Sequence, residues 1–495
     1  MPQKAFTSDP QSTLNRREAL RLAGGAVASA SLLGAAGPAR GEGSETQARA
    51  STGRTKRVVV AGGGIGGLAC AYELMKRGHD VTVLEAAGHT GGHVRTFRDP
   101  FADGLYVDGG AEHFTRPGYE LFWGYVNELG LTALPYPRRQ NMLRLVDGQL
   151  RTEEMLADPK VLAGLGFKRR EIDFLAREPW WKLPALFHAP YLDAFPDEYR
   201  PEAARLDHLD RLTFNELLVK DGASDAAIRF FGDAQSSALH VLWHAAILKL
   251  RGVPLAPPEV FRIRGGNQGI TDALTRQLGE RVRLGCPLTG IERGDSGVKV
   301  RYREAGRESV LEADWLVSAM SLWALTLVPA TPAWPEDRQR IIKGFPYYTA
   351  SRPVFQSRTR FWEKDGVSPN IVLGEASLEH VWRMADDVQT SRGLLASTAR
   401  GNTSADDALA TFRRYYPGRS EDIEQVFVVD WARDPWAMAC EPETYAPGQL
   451  ARFWPKVIEP EGRVQFVGAY ADNLNWGMEA ATRSARRVAL AIDQA

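Results

Sequence analysis

The residues with the clearest chemical purpose are the glycines that follow a short apolar segment. Residues 58–61 predict a buried strand, and the next six residues are Gly62, Gly63, Gly64, Ile65, Gly66 and Gly67. Gly62, Gly64 and Gly67 form a G-x-G-x-x-G pattern. Such glycines permit a tight turn, the approach of a pyrophosphate to the backbone, and close packing of a helix on the strand. The N-terminus of that helix offers unpaired N–H groups to phosphates. The pattern therefore predicts a phosphate-binding turn.

The helix and strand that must position this turn come directly after it in the sequence. Apolar residues recur at helical spacing over residues 68–75, and residues 81–84 predict a second strand that ends at Glu85. Strand, turn, helix and strand make a β-α-β unit. An acidic residue about 20 positions after the glycines can accept hydrogen bonds from an adenosine ribose. The segment therefore predicts a dinucleotide site, with Glu85 as the ribose ligand.

The residues after Glu85 indicate which dinucleotide is bound. A second glycine pair, Gly91 and Gly92, is followed by His93. This arrangement resembles the flavin-containing amine oxidase family, which includes relatives of phytoene desaturase and binds FAD. The family usually has Arg where this chain has His89 and His93, and a neutral imidazole neutralises phosphate charge less well than a guanidinium. Arg95 is available to compensate. The resemblance implies FAD, whereas an NAD-only domain would not need the second glycine pair.

Distant segments extend the resemblance from Arg57 to Ala495. Residues 107–111 resemble the turn that passes under the flavin ring, and residues 264–291 resemble the family's middle FAD segment. Residues 464–468 and 477–481 resemble the closing strand and last helix, whose first N–H groups face the charge that grows on reduced flavin. The cofactor-binding residues that the resemblance implies are Gly62, Gly64, Ile65, Gly66, Gly67, Glu85, Gly92, His93, Gly109, Gly110, Ala111, Leu288, Cys440, Gly468, Gly477 and Met478.

Cys440 has two interpretations. It lies eight residues before Gly448, where some family members attach FAD through an 8α-cysteinyl bond. Cysteine is also a common small buried residue. The other cysteines are Cys70 and Cys286, and a set of 3 gives no disulfide framework.

The family's fold sets the expected organisation. It is an α/β fold in which a Rossmann-type FAD-binding domain of the GR2 type is interleaved with an α+β substrate-binding domain. A length of 495 residues agrees with more than one domain. The expected FAD-binding segments are 57–130, 258–330 and 424–495, and the expected substrate-binding segments are 131–257 and 331–423.

At three candidate catalytic positions, this chain differs from the amine-oxidising members of the family. Those members carry a Lys about nine residues before a Phe-Trp pair, and here that position is Arg352. Arg cannot act as a base, but it could hold a water or anchor a substrate carboxylate; a structural salt bridge is the alternative. Glu441 occupies the position of the first wall of the family's aromatic cage, and a carboxylate there would favour a cationic or hydroxylated substrate. The alternative is that Glu441 is a solvated loop residue. Trp476 is the expected second wall, in preference to Gly477.

Two further segments invite both a functional and a structural interpretation. Residues 178–195 are aromatic and interrupted by prolines, which is typical of a lid over an apolar substrate or, as we favour, of an irregular loop that covers the core. His240 and His244 are spaced i, i+4 in an apolar helical segment, 238–250. This spacing can serve a metal, but no third ligand stands nearby in the sequence, so core histidines are favoured and no metal is expected.

Composition excludes some partners. Lys and Arg together number 61 and so do Asp and Glu, so the net charge is near zero and a basic nucleic-acid-binding face is not indicated.

Arg16 and Arg17 precede a mildly apolar, Ala- and Gly-rich stretch, residues 20–36. This pattern predicts a twin-arginine export signal in residues 1–40, a linker in 41–56, and a periplasmic or secreted protein that meets the twin-arginine translocase. The stretch is too short for a membrane span, and a disordered tail is the alternative.

The resemblance implies an FAD-dependent oxidoreductase with a small-molecule substrate. The first hypothesis is oxidation of an amine or amino acid by hydride transfer to flavin N5, with O2 as acceptor. The second is a desaturase, dehydrogenase or isomerase of an apolar terpenoid or carotenoid-like molecule, with a quinone as a candidate acceptor. The incomplete cage and the tryptophan-rich middle of the chain support this second hypothesis, which stays the alternative to the first. A non-catalytic flavin-binding protein is the third.

Export can be tested through the arginine pair. Replacing Arg16 and Arg17 by Lys is expected to leave FAD-loaded protein in the cytoplasm, because the twin-arginine route carries folded proteins and depends on the paired arginines. Cell fractionation followed by flavin absorption measures this. Unchanged export of the double variant would contradict the signal.

Overall fold

A computed structural model describes residues 54–138, 140–232, 235–365, 368–438, 440, 445–474 and 476–495. The predicted export signal and Glu441 lie outside the described residues. The strands of the described chain are β1 (Arg57–Ala61), β2 (Asp80–Leu84), β3 (Thr96–Phe97), β4 (Val107–Asp108), β5 (Phe114–Arg116), β6 (Ala133–Pro135), β7 (Leu143–Val146), β8 (Gln149–Arg151), β9 (Glu259–Ile263), β10 (Val282–Arg283), β11 (Leu288–Arg293), β12 (Val298–Glu304), β13 (Arg307–Ala313), β14 (Trp315–Ser318), β15 (Ala330–Thr331), β16 (Ala350–Ser357), β17 (Ile371–Glu375), β18 (Leu378–Met384), β19 (Gly393–Arg400), β20 (Ile423–Asp430) and β21 (Val464–Phe466).

The helices of the described chain are mostly short. They are α1 (Ile65–Lys76), α2 (Glu120–Glu128), α3 (Pro159–Leu165), α4 (Arg169–Leu175), α5 (Leu183–Leu192), α6 (Phe214–Lys220), α7 (Asp225–Phe231), α8 (Ala238–Leu250), α9 (Gln268–Leu278), α10 (Leu322–Leu325), α11 (Glu336–Gly344), α12 (Phe361–Asp365), α13 (Ala405–Tyr415), α14 (Leu450–Phe453) and α15 (Gly477–Gln494).

A five-stranded parallel sheet carries the predicted β-α-β unit. Its strand order is β10-β2-β1-β14-β21, and β1 pairs in parallel with both β2 and β14. Residues 58–61 are fully buried, as expected for a parallel sheet that is covered on both faces. The strands come from parts of the chain that lie far apart in sequence, so this sheet gathers the segments that the resemblance grouped together.

A second large sheet has seven strands, in the order β20-β16-β19-β18-β17-β7-β8. Residues 350–357 form β16, and α13 begins after Ser404, whose side chain accepts a hydrogen bond from the Asp407 N–H. Phe412 of α13 stacks on Phe355 of β16 with ring centroids 4.7 Å apart. This contact anchors the helix on the sheet. Smaller sheets have the orders β13-β12-β11-β15, β5-β9-β6 and β3-β4.

Residues 180–192 are helical, so the favoured interpretation of residues 178–195 as an irregular loop was wrong. Residues 180–182 form a 3-10 turn and α5 follows directly. Pro184 is tolerated because it occupies the first turn of the helix, where its missing N–H has no intrahelical partner, and Pro190 lies in the last turn. Buried Leu183 and Phe187 place one face of α5 in the core.

Within the described part of the chain, the longest helices are too short or too polar to cross a membrane.

Candidate active site

Most of the predicted cofactor residues line one cleft at the carboxyl edge of the parallel sheet. Those that do are Gly62, Gly64, Ile65, Gly66, Glu85, Gly92, His93, Ala111, Leu288, Gly468, Gly477 and Met478. Open parallel sheets bind ligands at this edge, beyond the carboxyl ends of their strands. The other four, Gly67, Gly109, Gly110 and Cys440, are not among the residues that line the cleft.

In the glycine turn, one glycine permits close packing of the helix and another leaves the cleft open to a ligand. A Cβ on Gly67 would lie 2.0 Å from the Gly62 carbonyl oxygen and 2.9 Å from the Ala319 Cβ, so Gly67 permits the close packing of α1 on the sheet. A Cβ on Gly64 would meet nothing within 4 Å, because this face of the turn opens into the cleft. Gly64 also precedes α1, whose first N–H groups point the same way. The turn therefore fits a pyrophosphate.

Glu85 stands at the end of β2, inside the cleft. Its Oε2 accepts a hydrogen bond from the Gly63 N–H at 2.5 Å, and its Oε1 accepts one from the Ala87 N–H at 2.7 Å. Desolvation raises the pKa of this carboxyl, and the two backbone donors oppose that rise. A carboxylate has about four acceptor sites, so Glu85 retains acceptor capacity for ribose hydroxyls.

His93 is held by the segment that carries Cys440. Its Nε2 lies 2.6 Å from the Ala437 carbonyl oxygen, to which it donates, and 4.0 Å from the Cys440 Sγ. Its ring also meets the Trp431 ring edge-on, with centroids 4.7 Å apart. His93 lines the cleft while Cys440 stands directly behind it, so the two interpretations of Cys440 stay open.

Arg352 lies behind the turn that was predicted to pass under the flavin. Its Nε donates to the Gly109 carbonyl at 3.2 Å and its Nη2 donates to the Gly110 carbonyl at 2.9 Å. A Cβ on Gly110 would lie 2.0 Å from the His93 carbonyl oxygen, so this turn is packed tightly against the second glycine segment. The contacts of Arg352 fix the turn that brings Ala111 to the cleft. Its catalytic role stays a prediction.

Glu112 is a charged group beside the cleft that the sequence analysis missed. Its Oε1 accepts from the Arg138 Nε at 3.2 Å, and its Oε2 lies 3.6 Å from the Arg352 Nη1. Burial alone would raise the pKa of Glu112, but Arg138, His113 and Arg352 together lower it well below its usual range. The available sequence signal was its place directly after Ala111, although Arg138 and Arg352 could not have been assigned to it.

The N-terminus of α15 forms the opposite wall of the cleft. Gly477 and Met478 line it, and Trp476 precedes the helix. The Trp476 ring stacks on the Tyr119 ring, with centroids 5.8 Å apart and planes inclined by 24°. The Trp476 ring also meets the His244 ring edge-on, with centroids 6.4 Å apart. The predicted aromatic wall is thus held in place from two sides.

Glu479 ties the start of α15 to the start of α2. Its carboxylate accepts hydrogen bonds from the Phe122 N–H at 2.9 Å and the Leu121 N–H at 3.2 Å. The side chain is almost wholly buried, and desolvation raises its pKa to about 7 although both N–H groups lower it. A carboxylate carried by the first turn of α15 therefore caps the N-terminus of α2.

Three apolar residues on the rim were also missed. Trp323, Leu327 and Trp436 line the cleft, and Leu327 and Trp436 stay exposed by 60% and 43%. Exposed apolar groups at the mouth of a cleft are typical of a ligand-covering surface. Their positions in the sequence carry no periodic signal that would have found them.

The paired histidines of α8 do not form a metal site with other described residues. His240 Nδ1 accepts the Tyr445 N–H at 2.7 Å, and its ring stacks on the Tyr445 ring. Over the described residues, no three His, Cys, Asp or Glu side chains are grouped to hold a metal ion.

The glycine turn makes a matched pair of variants available. Gly67→Ala is expected to destabilise the apoprotein by about 1–3 kcal/mol or more, because the added Cβ overlaps backbone. Gly64→Ala is expected to change apoprotein stability by less than about 1 kcal/mol while weakening FAD uptake, because its Cβ points into the cleft. Thermal unfolding and FAD titration of the apoprotein measure both effects. Equal FAD affinity for Gly64→Ala and wild type would contradict this assignment.

Glu479 should make stability depend on pH. Its pKa is raised from an ordinary value of 4.5 to about 7, so the folded protein binds a proton more tightly than the unfolded chain does. Protonated Glu479 therefore contributes to the free energy of unfolding at low pH, and this contribution is lost as pH rises from about 5 to 8. Relative to wild type, Glu479→Gln is therefore expected to gain stability over that range, by at most about 3 kcal/mol. Denaturation midpoints across pH measure it, with exposed Glu280→Gln as the control. A pH-independent difference would contradict the raised pKa.

Comparisons with known proteins identify the family. The family model for flavin-containing amine oxidoreductases matches residues 65–493. An L-amino-acid oxidase of Vipera ammodytes ammodytes is 22% identical over 466 residues, covering 90% of this chain and 94% of that protein. An L-amino-acid oxidase of Siganus canaliculatus is 24% identical over 464 residues, covering 89% of this chain and 86% of that protein.

Solved structures share the fold. Cyclohexylamine oxidase from Brevibacterium oxydans superposes with a TM-score of 0.73 at 22% identity, over 89% of this chain and 99% of that one. Putrescine oxidase bound to putrescine gives a TM-score of 0.65 at 19% identity, over 89% of this chain and 100% of that one. The open glycine turn of the cleft fits the pyrophosphate of FAD. Because the family model matches most of its length, the chain belongs to the family of flavin-containing amine oxidoreductases and is an FAD-dependent oxidoreductase.

Proposed function

We propose that the chain oxidises the carbon–nitrogen bond of a small amine or amino acid, with bound FAD as the hydride acceptor. The observation that carries this proposal is the meeting of two helix N-termini, those of α1 and α15, in one cleft with Glu85 and the second glycine segment. The relatives described above, which are named as oxidases of amino acids, cyclohexylamine and putrescine, support the substrate class.

The roles of the chain's own residues follow from their positions. The glycine turn and the N-terminus of α1 would hold the pyrophosphate, and Glu85 would hold the adenosine ribose. FAD supplies the electron-accepting ring. The first N–H groups of α15, at Gly477 and Met478, would stabilise the negative charge on that ring after reduction. Arg352 would keep the 109–111 turn in place beneath it.

The candidate reaction-site residues remain those of the sequence analysis. Trp476 would form one wall of the substrate chamber, supported by its contacts with Tyr119 and His244. Glu441 is proposed as the facing wall, on sequence position alone. Arg352 is proposed to act by fixing the turn. Cys440 is a candidate for covalent attachment of FAD, supported by its 4.0 Å approach to the cleft residue His93.

We further propose O2 as the acceptor, with peroxide and an imine as products, and export through the twin-arginine translocase. Arg16 and Arg17 support export. For the domains, we propose the interleaved division described above, with FAD-binding segments near 57–130 and 258–330. The expected third segment is 424–495; because β20 pairs with β16 in the seven-stranded sheet, we propose that this segment begins after Asp430.

Anaerobic bleaching of the bound flavin tests the reaction. We expect at least one amine or amino acid from a panel of both classes, together with terpenoids, to bleach the flavin without oxygen. Readmitted oxygen should restore the colour and release one peroxide per turnover. Free FAD with the same panel is the control. Bleaching by a terpenoid alone, or colour that returns only with a quinone or dye, would contradict the proposal and favour the alternative hypothesis.

A further inference from the structure

A small cavity of about 90 Å³ is lined by residues of β7, α3 and α7 and of the turns that follow β7 and α3. None of its lining residues also lines the cofactor cleft. Most of the wall is apolar, but two of its residues are arginines, Arg144 of β7 and Arg229 of α7. Since a water takes about 30 Å³ in the liquid, the cavity holds about three waters. A ligand here would therefore be small.

The guanidinium of Arg144 is held in place without a counter-ion. Its Cζ lies 4.1 Å from the centroid of the Phe230 ring and 4.8 Å from that of Trp180, and its Nη2 donates to the Phe230 carbonyl. The rings attract the charge, but they do not replace an oxygen acceptor for the buried Nε–H, which has no partner among the described residues. Burial lowers the pKa of Arg144 to about 10, and no carboxylate opposes this shift. Arg144 thus stays charged at neutral pH with one donor unsatisfied.

Two further arginines add positive charge beside Arg144. Arg151 of β8 lies directly opposite Arg144 in the β7–β8 ladder, so both side chains project from the same face of the sheet, where like charges are destabilising. The Arg151 Nε is also buried and unpartnered. The hydrogen bonds of Arg151 and Arg229 go to the Gln149 side-chain amide at 3.3 Å and the Leu165 carbonyl at 3.5 Å. Across the described residues, none of the three arginines pairs with a carboxylate, so the region carries uncompensated positive charge.

Asp147 is the one acidic residue among those described in the cavity wall, and it does not neutralise this charge. It is exposed on the turn after β7, where its φ is +48°, and it forms an ion pair with neither Arg144 nor Arg229. A guanidinium cannot lose its proton near neutral pH. The cost of burying Arg144 therefore persists until an anion approaches it.

We propose that this cavity binds one small oxyanion, such as phosphate or the carboxylate of a short organic acid, between Arg144 and Arg229. The planar fork of a guanidinium matches the paired oxygens of either group. Arg229 is exposed, so an ion can enter from solvent. Once bound, the anion links β7 of the seven-stranded sheet to α3 and α7 and stabilises these helices on the sheet. The site is separate from the cofactor cleft, so it does not depend on the proposed function.

Thermal unfolding and calorimetric titration of the FAD-loaded protein test the site, because bound FAD already occupies the glycine turn. Sodium phosphate, sulfate and acetate are each compared with sodium chloride at equal ionic strength in a bis-tris propane buffer. At least one oxyanion is expected to raise the melting temperature by about 2 °C or more beyond chloride, and to bind at one site per chain. A response to phosphate and sulfate assigns an inorganic oxyanion, and a response to acetate alone assigns an organic carboxylate. If no oxyanion exceeds chloride, the proposal is overturned.

Arginine variants locate the binding. Arg144→Met and Arg229→Met are expected to abolish both the melting shift and the titration signal, and Arg144→Lys, which keeps the charge without the planar fork, should retain part of them. Arg307→Met, at an exposed arginine of β13, is the matched control and should respond as wild type does. Because Arg229 is exposed, its variant decides the matter even if Arg144→Met fails to fold. An oxyanion effect in Arg229→Met as large as in wild type would overturn the site. Neither readout requires turnover, so failure of the proposed reaction leaves this test intact.

Discussion

The structure depends on the convergence of backbone N–H dipoles at one edge of a parallel sheet. α1 leaves the carboxyl end of β1, and α15 follows the carboxyl end of β21, so both helices begin at the same edge. Each helix N-terminus carries unpaired N–H groups and a partial positive charge. FAD, which has a charged pyrophosphate near its middle and a reducible ring at one end, can use both. No side-chain cation is required at the glycine turn, which explains how the chain tolerates histidines where the family usually has arginines.

This convergence demands close packing, and small residues provide it. A Cβ on Gly66 would lie 3.0 Å from Val467 Cγ1 and 3.6 Å from Ala481 Cβ, so α1 and α15 approach closely here. Ser484 fixes the end of β21 relative to α15, because its Oγ donates to the Gly468 carbonyl at 3.0 Å and accepts from the Gly468 N–H at 3.1 Å. Glu479 then joins α15 to α2. The position of the flavin-facing helix is therefore determined by several short contacts rather than by one.

The sequence revealed the parts of the site that depend on local order. Glycine spacing predicted the turn, the residues after β2 predicted Glu85 and the second glycine segment, and the closing residues predicted the start of α15. Pairings between distant segments could not be predicted in this way. Glu112 meets Arg352 of β16 and Arg138, which follows β6, only because these distant segments pack together around the 109–112 turn. Residues 178–195 were misjudged because prolines in the first and last turns of a helix resemble those of a loop.

The central claim is that this cleft binds FAD through backbone N–H groups. The most direct measurement is the absorption spectrum of the purified chain, before and after incubation with excess FAD and removal of the unbound cofactor. The account predicts a yellow protein, or a colourless one that becomes yellow with one FAD per chain. A protein that stays colourless, although folded, would contradict it.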